Sequence, residues 1–155
     1  MSMIKVLFIC YGNICRSPMA EFYMKNLVRQ AGLADRVFVA SAATSDEQIG
    51  CDTDERTKRK LRAMGIPYTK RSAWQLSRGD YAKYDYIIGF DNRNIAAIRR
   101  ITGGDPDGKI YKLLEFAGFE QETADPWYTL DFDATYRDVE TGCKALLQRL
   151  KASEE

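Results

Sequence analysis

One short segment of the sequence brings together a nucleophile, a fixed cation and a tight turn. Cys10 is followed by five residues and then by Arg16 and Ser17. A cysteine thiolate is a strong nucleophile, and the planar guanidinium of an arginine can donate to two oxygens of one phosphate group. A lone cysteine is usually a small core residue, and a lone arginine is usually solvated. Together, at this spacing, they indicate a site that binds an oxyanion above a reactive sulfur.

The residues on either side of this segment predict the elements that position it. Residues 4–9 form a short apolar run typical of a buried strand. Ser17 and Pro18 are typical of the N-cap and first position of a helix, and apolar residues then recur at helical spacing until Gly32. A loop between a strand and a helix can aim several backbone N–H groups inward, and the helix N-terminus adds partial positive charge.

The residues within the predicted loop suit a bound dianion. Gly12 is expected to permit backbone angles that a Cβ would forbid, and Asn13 is expected to tolerate the left-handed conformation. The inward N–H groups, the helix N-terminus and Arg16 all favour the thiolate form of Cys10. Ser17 can donate a hydrogen bond to that thiolate.

The rest of the chain alternates between strand and helix patterns. The sequence predicts further strands at 37–40, 86–90 and 110–114, a loop at 41–45, and helices at 52–64, 92–101 and 131–151. This alternation is typical of an α/β domain in which helices cover both faces of a parallel sheet. Ligands of such sheets bind beyond the carboxyl ends of the strands, where the loop after Cys10 is expected to lie.

The composition limits the partners that the protein is expected to have. A chain of 155 residues, 45% of them hydrophobic, fits one domain spanning residues 1–155. Lys and Arg number 23 against 22 for Asp and Glu, so the sequence predicts neither nucleic-acid binding nor attraction to an anionic membrane. It lacks the apolar run of a membrane span and the pattern of a secretory signal. Four scattered cysteines indicate reduced thiols and a cytoplasmic location.

The absence of histidine from the sequence restricts the available chemistry. It excludes Ser-His-Asp and Cys-His catalysis, and it argues against zinc because carboxylates and dispersed cysteines would have to supply every ligand. We therefore expect no metal and no cofactor.

Residues 7–21, which read Leu-Phe-Ile-Cys-Tyr-Gly-Asn-Ile-Cys-Arg-Ser-Pro-Met-Ala-Glu, resemble the opening signature of the low-molecular-weight protein tyrosine phosphatases. The similarity continues through the C-terminal helix and covers essentially the whole chain, at 41–45, 49–50, 65–67, 84–88, Asp91 with Asn94, and 125–128. The resemblance implies a single three-layer domain with a four-stranded parallel sheet of Rossmann-like type and a phosphate-binding loop after the first strand. It also implies hydrolysis of phosphotyrosine through a phosphocysteine.

The resemblance further implies roles for individual residues. Cys10 would attack phosphorus, while Arg16 and the loop amides would hold the phosphate oxygens. Asp125 would protonate the leaving phenolate and then deprotonate the attacking water. The phosphate-binding loop would comprise Tyr11, Gly12, Asn13, Ile14, Cys15 and Ser17, with Ser41 as its support. Substrates would be tyrosine-phosphorylated proteins or peptides, and phosphate or other oxyanions would inhibit.

Asp125 lies in a segment suited to general-acid catalysis. Tyrosinate leaves poorly because the pKa of tyrosine is about 10, and a positioned acid typically accelerates such a step by roughly 100- to 10,000-fold. Pro126 stiffens the segment, and Trp127 and Tyr128 can form a wall beside a flat aromatic substrate. Without the resemblance, the same residues would indicate an ordinary Asp-Pro turn.

Two positions depart from the family pattern. Many members have an aromatic residue two positions after the equivalent of Ser45, where it forms the second wall of the pocket, but here that position is Glu47. A stretch His-x-Ala-Arg-Gln in many members appears here as Arg-Ser-Ala-Trp-Gln at 71–75. The histidine normally helps to order the phosphate-binding loop, so either Arg71 replaces it or that support is missing.

Three other functions share parts of this pattern. Arsenate reductases of a related fold have the same loop but need a further pair of cysteines in the second half of the chain, where this sequence has only Cys143. A phosphoryl-carrier domain of sugar transport also has a cysteine after its first strand, but Arg16-Ser17 and Asp125-Pro126 argue against it. A phosphotyrosine-binding module without activity is disfavoured because all three catalytic positions are filled.

Overall fold

The protein folds around a four-stranded parallel sheet flanked by helices. The structure, a computed structural model, describes residues 3–153. Its strands are β1 (Ile4–Cys10), β2 (Val37–Ala43), β3 (Tyr86–Gly89) and β4 (Ile110–Lys112). The helices are α1 (Arg16–Gln30), α2 (Glu55–Ala63), α3 (Asn92–Thr102), α4 (Pro126–Thr129) and α5 (Phe132–Ser153), with 3-10 helices at Arg78–Lys83 and Leu113–Ala117. The strand order is β2-β1-β3-β4, all neighbours are parallel, and the predicted fold class is confirmed.

The central strand β1 is fixed by core packing on both of its faces. Phe8 belongs to a buried cluster with residues of α1 and α5, whereas Leu7 and Ile9 belong to a second cluster with Ile98 of α3. All four side chains are fully buried. Burying one such side chain stabilises the fold by about 1.5–3 kcal/mol. The carboxyl end of β1, at Cys10, therefore cannot shift without disturbing both layers of the core.

Several predicted boundaries differ from the structure, among them the start of the helix predicted at 52–64, which lies at Glu55. The strand predicted at 37–40 continues through Ala43, because Ser41, Ala42 and Ala43 pair with the end of β1 although their small side chains indicate a loop. The strand predicted at 110–114 ends at Lys112 and turns into a 3-10 helix. Ser17 is not an N-cap, since α1 already begins at Arg16 and the Ser17 hydroxyl has partners in the loop before the helix.

The longest helix, α5, has 22 residues and one buried face. That face includes Val139, Cys143, Leu146 and Leu150, all of them fully buried against the sheet side of the core. Within residues 3–153, no helix combines the length and the apolar character that a membrane crossing requires.

Candidate active site

The phosphate loop, residues 10–17, wraps around the sulfur of Cys10. Cys10 is the last residue of β1, and α1 begins at Arg16. Cys10 is only 4% exposed. The backbone N–H of Asn13 points at Sγ over 3.3 Å, and the Ser17 hydroxyl lies 3.0 Å from it. Asn13 Nδ2 donates to Ser17 Oγ over 2.8 Å, so the hydroxyl hydrogen of Ser17 remains available to the sulfur. Two hydrogen-bond donors thus converge on the sulfur of Cys10.

The turn inside the loop matches one prediction and corrects another. Asn13 has a φ of 60°, so the expected left-handed conformation is confirmed. Gly12 does not have a positive φ, and the prediction that it permits forbidden backbone angles is wrong. A Cβ at Gly12 would instead lie 3.3 Å from Cγ of Gln48, so glycine serves close packing against the neighbouring loop.

A buried polar network supports the loop from below. Ser41, placed by the pairing of β2 with β1, accepts from Asn13 Nδ2 over 3.0 Å and donates to Glu21 Oε1 over 2.5 Å. Arg71 donates to the Asn13 backbone carbonyl over 2.9 Å and to Asn13 Oδ1 over 2.6 Å. Its Nε lies 3.7 Å from Glu21 Oε1. The amide of Asn13 is thereby oriented, so of the two alternatives for Arg71 the structure shows the one in which it supports the phosphate loop.

Arg16 is buried and held by three oxygen acceptors. Its Nη1 donates to Asp91 Oδ2 over 2.7 Å and to the backbone carbonyl of Thr123 over 2.9 Å, and its Nη2 lies 3.4 Å from Asp125 Oδ2. Burial lowers the pKa of Arg16, but the charges of Cys10, Asp125 and Asp91 outweigh this effect and raise the pKa above its ordinary value. The residue is therefore a permanent cation beside the sulfur.

Asp91 is a functional residue that the motif analysis left without a role. It follows β3 and caps α3, because its Oδ1 accepts from the Asn94 N–H over 2.7 Å while Asn94 Oδ1 accepts from the Phe90 N–H over 2.9 Å. The other oxygen of Asp91 is thus free to orient Arg16. An Asp-x-x-Asn pattern directly after a strand of the predicted sheet was the available signal.

Asp125 lines the pocket and belongs to residues 123–130, which are called the acid loop after the role that the family resemblance implies for Asp125. The Thr123 N–H donates to the Phe90 carbonyl over 2.8 Å and anchors the start of this loop beside β3. Asp125 caps the short helix α4, because its Oδ1 accepts from the Trp127 N–H over 3.0 Å. Its second oxygen, Oδ2, faces Arg16. The carboxyl group is therefore oriented by its own loop and reaches the edge of the phosphate loop.

The pocket above Cys10 has a volume of about 250 Å³. Trp127, Tyr128 and Glu47 all line it, Glu47 from the loop after β2. Tyr11 also lines the mouth and is 51% exposed, so the phosphate loop itself supplies an aromatic wall that was predicted only as loop backbone. A hydrogen bond to Glu47 is the main cause of the raised pKa of Tyr11. Glu47 and Tyr11 therefore act as one edge of the pocket.

Cys15 and Ile14 occupy the far end of the phosphate loop. Both line the pocket, and Cys15 is the N-cap residue of α1. Burial, followed by the charges of Asp54 and Cys10, raises the pKa of the Cys15 thiol to about 12. The structure thus brings all the predicted site residues together around Cys10, with Ser41 one layer below. Their predicted roles are considered below.

The whole chain matches a known family and several of its members. The model of the low molecular weight phosphotyrosine protein phosphatase family matches residues 5–155. The chain is 36% identical to the low molecular weight protein-tyrosine-phosphatase YfkJ of Bacillus subtilis strain 168 over 155 residues, which cover 99% of each. The crystal structure of YfkJ superposes with a TM-score of 0.96 and covers 100% of this chain and 99% of its own.

Two further crystal structures show the range of proteins that share this fold. SP-PTP, a low molecular weight protein tyrosine phosphatase from Streptococcus pyogenes, is 40% identical with a TM-score of 0.86, covering 96% of this chain and 93% of its own. DARP, a Drosophila arginine phosphatase, is 29% identical with a TM-score of 0.85, covering 96% and 98%. On the strength of the family match and of YfkJ, this chain belongs to the low molecular weight phosphotyrosine protein phosphatase family of phosphoric monoester hydrolases.

Proposed function

We propose that the protein dephosphorylates tyrosine-phosphorylated proteins through a phosphocysteine formed on Cys10. The observation that carries this proposal is the convergence on one pocket of a sulfur with two donors, a buried arginine and a carboxyl group. These are the groups that attack, clamp and protonate in a displacement at phosphorus.

In the first step, the Cys10 thiolate attacks phosphorus and the bond between phosphorus and the tyrosine oxygen breaks. Asp125 gives its proton to the departing phenolate, so the leaving group is neutral tyrosine. Arg16 keeps its Nη1 contact with Asp91 and turns Nη2 from the 3.4 Å contact with Asp125 to the phosphate oxygens. Asp91 thus fixes one edge of the guanidinium while the other edge binds substrate.

In the second step, a water molecule attacks the phosphocysteine and the bond between phosphorus and sulfur breaks. Asp125, now a carboxylate, accepts the proton of that water. The hydroxyl of Ser17, 3.0 Å from Sγ, stabilises the returning thiolate by donating to it. Inorganic phosphate is released, and the enzyme regains its starting state.

The mouth of the pocket supports an aryl phosphate as substrate. Tyr11 and Trp127 present aromatic surface, and both are about half exposed, so a flat ring can contact them without a large rearrangement. Phosphate and other oxyanions would compete for the same donors and inhibit. We also propose a cytoplasmic location, because a catalytic thiolate needs reducing conditions. We further propose that the reaction uses neither a metal nor a cofactor.

The test of this proposal is the turnover of a phosphotyrosine peptide panel by the wild type and by Cys10→Ser. We expect Cys10→Ser to abolish turnover and still bind phosphate, because the serine alkoxide is far less available than a thiolate while Arg16 and the amides remain. Cys51→Ser is the matched control, since Cys51 is exposed and lies outside the pocket lining. Appreciable hydrolysis by Cys10→Ser would remove Cys10 from its role.

The same panel separates the alternatives. A phosphoarginine peptide should be a poor substrate, and preferential turnover of it would instead place this chain beside the Drosophila arginine phosphatase. Steady turnover of phosphotyrosine excludes both a phosphoryl carrier and an inactive binding module. An arsenate reduction assay coupled to thioredoxin addresses the reductase, and we expect no reduction because Cys143 is fully buried in α5 and cannot pass oxidation to a partner.

A further inference from the structure

The guanidinium of Arg56 lies between the phosphate loop and the acid loop. On the phosphate-loop side, the Asp54 N–H donates to the Ile14 carbonyl over 2.9 Å. The Asp54 carboxylate accepts from Arg56 Nε and Nη2, each over 3.0 Å, one bond to each oxygen. This bidentate hydrogen bonding fixes the plane of the guanidinium.

On the acid-loop side, the same guanidinium contacts two aromatic rings. Its Cζ lies 5.3 Å from the centroid of Trp127 and 5.1 Å from that of Phe132, both within the range of cation–π attraction. Phe132 begins α5 and packs on the main core, so it provides a fixed surface. The backbone N–H of Trp127 in turn donates to Asp125 Oδ1 over 3.0 Å. A continuous set of contacts therefore runs from Ile14 to Asp125 through Arg56.

Apart from the contact of Asp125 with Arg16, the bonds that hold the acid loop lie before Asp125, at Thr123 and at the Ala124 carbonyl, which accepts from Thr135 Oγ1 over 3.4 Å. Pro126 is buried, but Trp127 is 49% exposed and Tyr128 is 78% exposed. A proton donor has to be placed accurately, since an error of about 1 Å can cost on the order of 100-fold in rate. The contact between Arg56 and Trp127 is thus well situated to limit the motion of the carboxyl group.

We propose that Arg56 is a positioning residue for the general-acid step, holding Trp127 and with it Asp125 in register with the phosphate loop. This rests on the proposed function of Asp125. Arg56 acts through Trp127 and does not contact the reacting atoms. Its substitution should therefore affect the reaction only where protonation of the leaving group matters.

The first test compares Arg56→Gln with wild type on phosphotyrosine and on the phosphate of an acidic phenol. We expect kcat for phosphotyrosine to fall about 2- to 30-fold, the range of a lost cation–π contact, and kcat for the acidic phenol phosphate to change little. Arg56→Lys should recover activity only in part, because an ammonium lacks the planar fork that binds Asp54. The N-cap of α2 survives in both variants, since Asp54 accepts there from the backbone N–H of residue 56.

Arg59→Gln is the matched control, because Arg59 is exposed on the same helix and its loss changes the net charge equally. The second test follows the fluorescence of Trp127 in a Trp74→Phe background, which leaves it as the single tryptophan. We expect Arg56→Gln to increase acrylamide quenching of Trp127 and to lower its anisotropy, whereas Arg59→Gln should change neither.

Several results would overturn the proposal. An equal loss for both leaving groups, a loss confined to KM for peptides, or unchanged Trp127 fluorescence would make Arg56 a structural or a substrate-binding residue. Asp125→Asn is measured in parallel. If Asp125→Asn shows a leaving-group dependence and Arg56→Gln does not, only the role of Arg56 fails. If neither shows it, the assignment of Asp125 fails first, and the role of Arg56 with it.

Discussion

The phosphate loop and the acid loop meet at one pocket but are built in opposite ways. In the phosphate loop, Asn13, Arg16 and Ser17 are at most 2% exposed, and every one of them has side-chain hydrogen bonds. In the acid loop, Tyr128 is 78% and Leu130 is 67% exposed, and Leu130 has a φ of 61°, a conformation that is costly for such a residue. Apart from the exposed Tyr11, the phosphate loop is thus largely packed into the core, whereas the acid loop after Pro126 is a surface segment.

This difference corresponds to two tasks in the proposed reaction. Donors that stabilise a dianion act best when they are fixed before the reaction, because they then need no reorganisation. The segment that carries a proton donor must also let a protein-bound aromatic ring enter the pocket. Such a segment benefits from being able to open and close. Damage to the phosphate loop should therefore affect all substrates alike, whereas damage to the acid loop should depend on the leaving group.

The substitution Asp125→Asn gives the sharpest test of this comparison. We expect kcat for phosphotyrosine to fall by roughly 100- to 10,000-fold and kcat for phosphates of acidic phenols to fall much less, because a good leaving group needs little protonation. Phosphate should bind at least as tightly as to wild type, since the variant removes a carboxylate beside Arg16. Steady-state kinetics over a leaving-group series and phosphate inhibition measure both effects.

Asp131→Asn is the matched control for this variant. Asp131 is exposed, lies next to the acid loop and accepts from the Ala134 N–H at the start of α5, so its loss removes an equal charge from the same region. A uniform loss across leaving groups in Asp125→Asn would assign Asp125 to the structure of α4 instead of proton transfer.

The substitution Arg71→Gln tests the other side of the comparison. Arg71 donates two hydrogen bonds to Asn13, and their loss frees the turn that points a backbone N–H at Cys10. We expect kcat/KM to fall by up to about 100-fold with no dependence on the leaving group, and phosphate to bind more weakly. Unfolding should require about 1–3 kcal/mol less free energy, because buried acceptors lose their donors. Lys70→Gln, at an exposed neighbour, is the control.

A second variant separates the loss of support from the loss of stability. Arg71→Gln leaves Glu21 buried with one cation fewer, whereas Arg71→Gln combined with Glu21→Gln removes both charges. The double variant should regain part of the lost stability and none of the lost activity. If its activity returned along with its stability, the phosphate loop would not depend on Arg71 for its geometry.

Residue patterns alone predicted those parts of the site that lie close together along the chain, whereas the distant site residues were predicted only from the family resemblance. Cys10, the turn at Asn13 and the helix that begins near Arg16 lie within one strand–loop–helix unit, whose pattern is strong. The partners of Arg16 are not local, since Asp91 and the carbonyl of Thr123 are 75 and 107 residues away in sequence. Their contacts depend on how β3 and the acid loop pack beside β1, which periodicity does not encode.

Two other features could not be predicted from residue patterns, for different reasons. Helix α4 has only four residues and depends on the Asp125 cap, so it is too short to show any helical period. The replacement of the family's histidine by Arg71 could be read as support or as its absence, because only the structure shows where the guanidinium points. The sequence therefore predicted the phosphate loop far better than the surroundings that hold it.

Oxidation offers a third way to probe the packed loop. Peroxide is expected to convert Cys10 to a sulfenic acid, and attack by the Cys15 thiolate on that sulfur, with loss of hydroxide, then forms a disulfide. Burial and the neighbouring charge of Asp54 raise the pKa of Cys15 to about 12, so the thiolate is scarce at neutral pH. Closure should therefore accelerate about tenfold for each pH unit between 7 and 9.

Peptide mapping in a Cys51→Ser background measures this closure without interference from the exposed thiol. The ratio of the linked Cys10–Cys15 peptide to sulfenic acid trapped by dimedone should rise with pH. A ratio independent of pH would show that Cys15 does not attack as the buried thiol found in this structure. If Cys15→Ser recovers activity on reduction as fully as wild type, the disulfide does not protect the enzyme.

The smallest effect is expected at Glu47, which lines the pocket beside Tyr11. Glu47 is exposed, lines the pocket and bonds to Tyr11, so its carboxylate lies where residues flanking the phosphotyrosine pass. Glu47→Tyr would add an aromatic contact worth about 0.5–1.5 kcal/mol, which corresponds to a two- to tenfold gain in kcat/KM for aryl phosphates. Because Tyr11 already supplies one ring, we expect a gain near the lower limit. The wild type should prefer basic over acidic flanking residues by a modest factor that shrinks with added salt, and Glu47→Tyr should flatten this preference.

Asp46→Asn, one residue away and exposed, removes a charge outside the pocket lining and serves as the control. Kinetics of Glu47→Tyr identical to wild type on aryl phosphates and on both peptide types would show that this edge of the pocket does not contact the substrate.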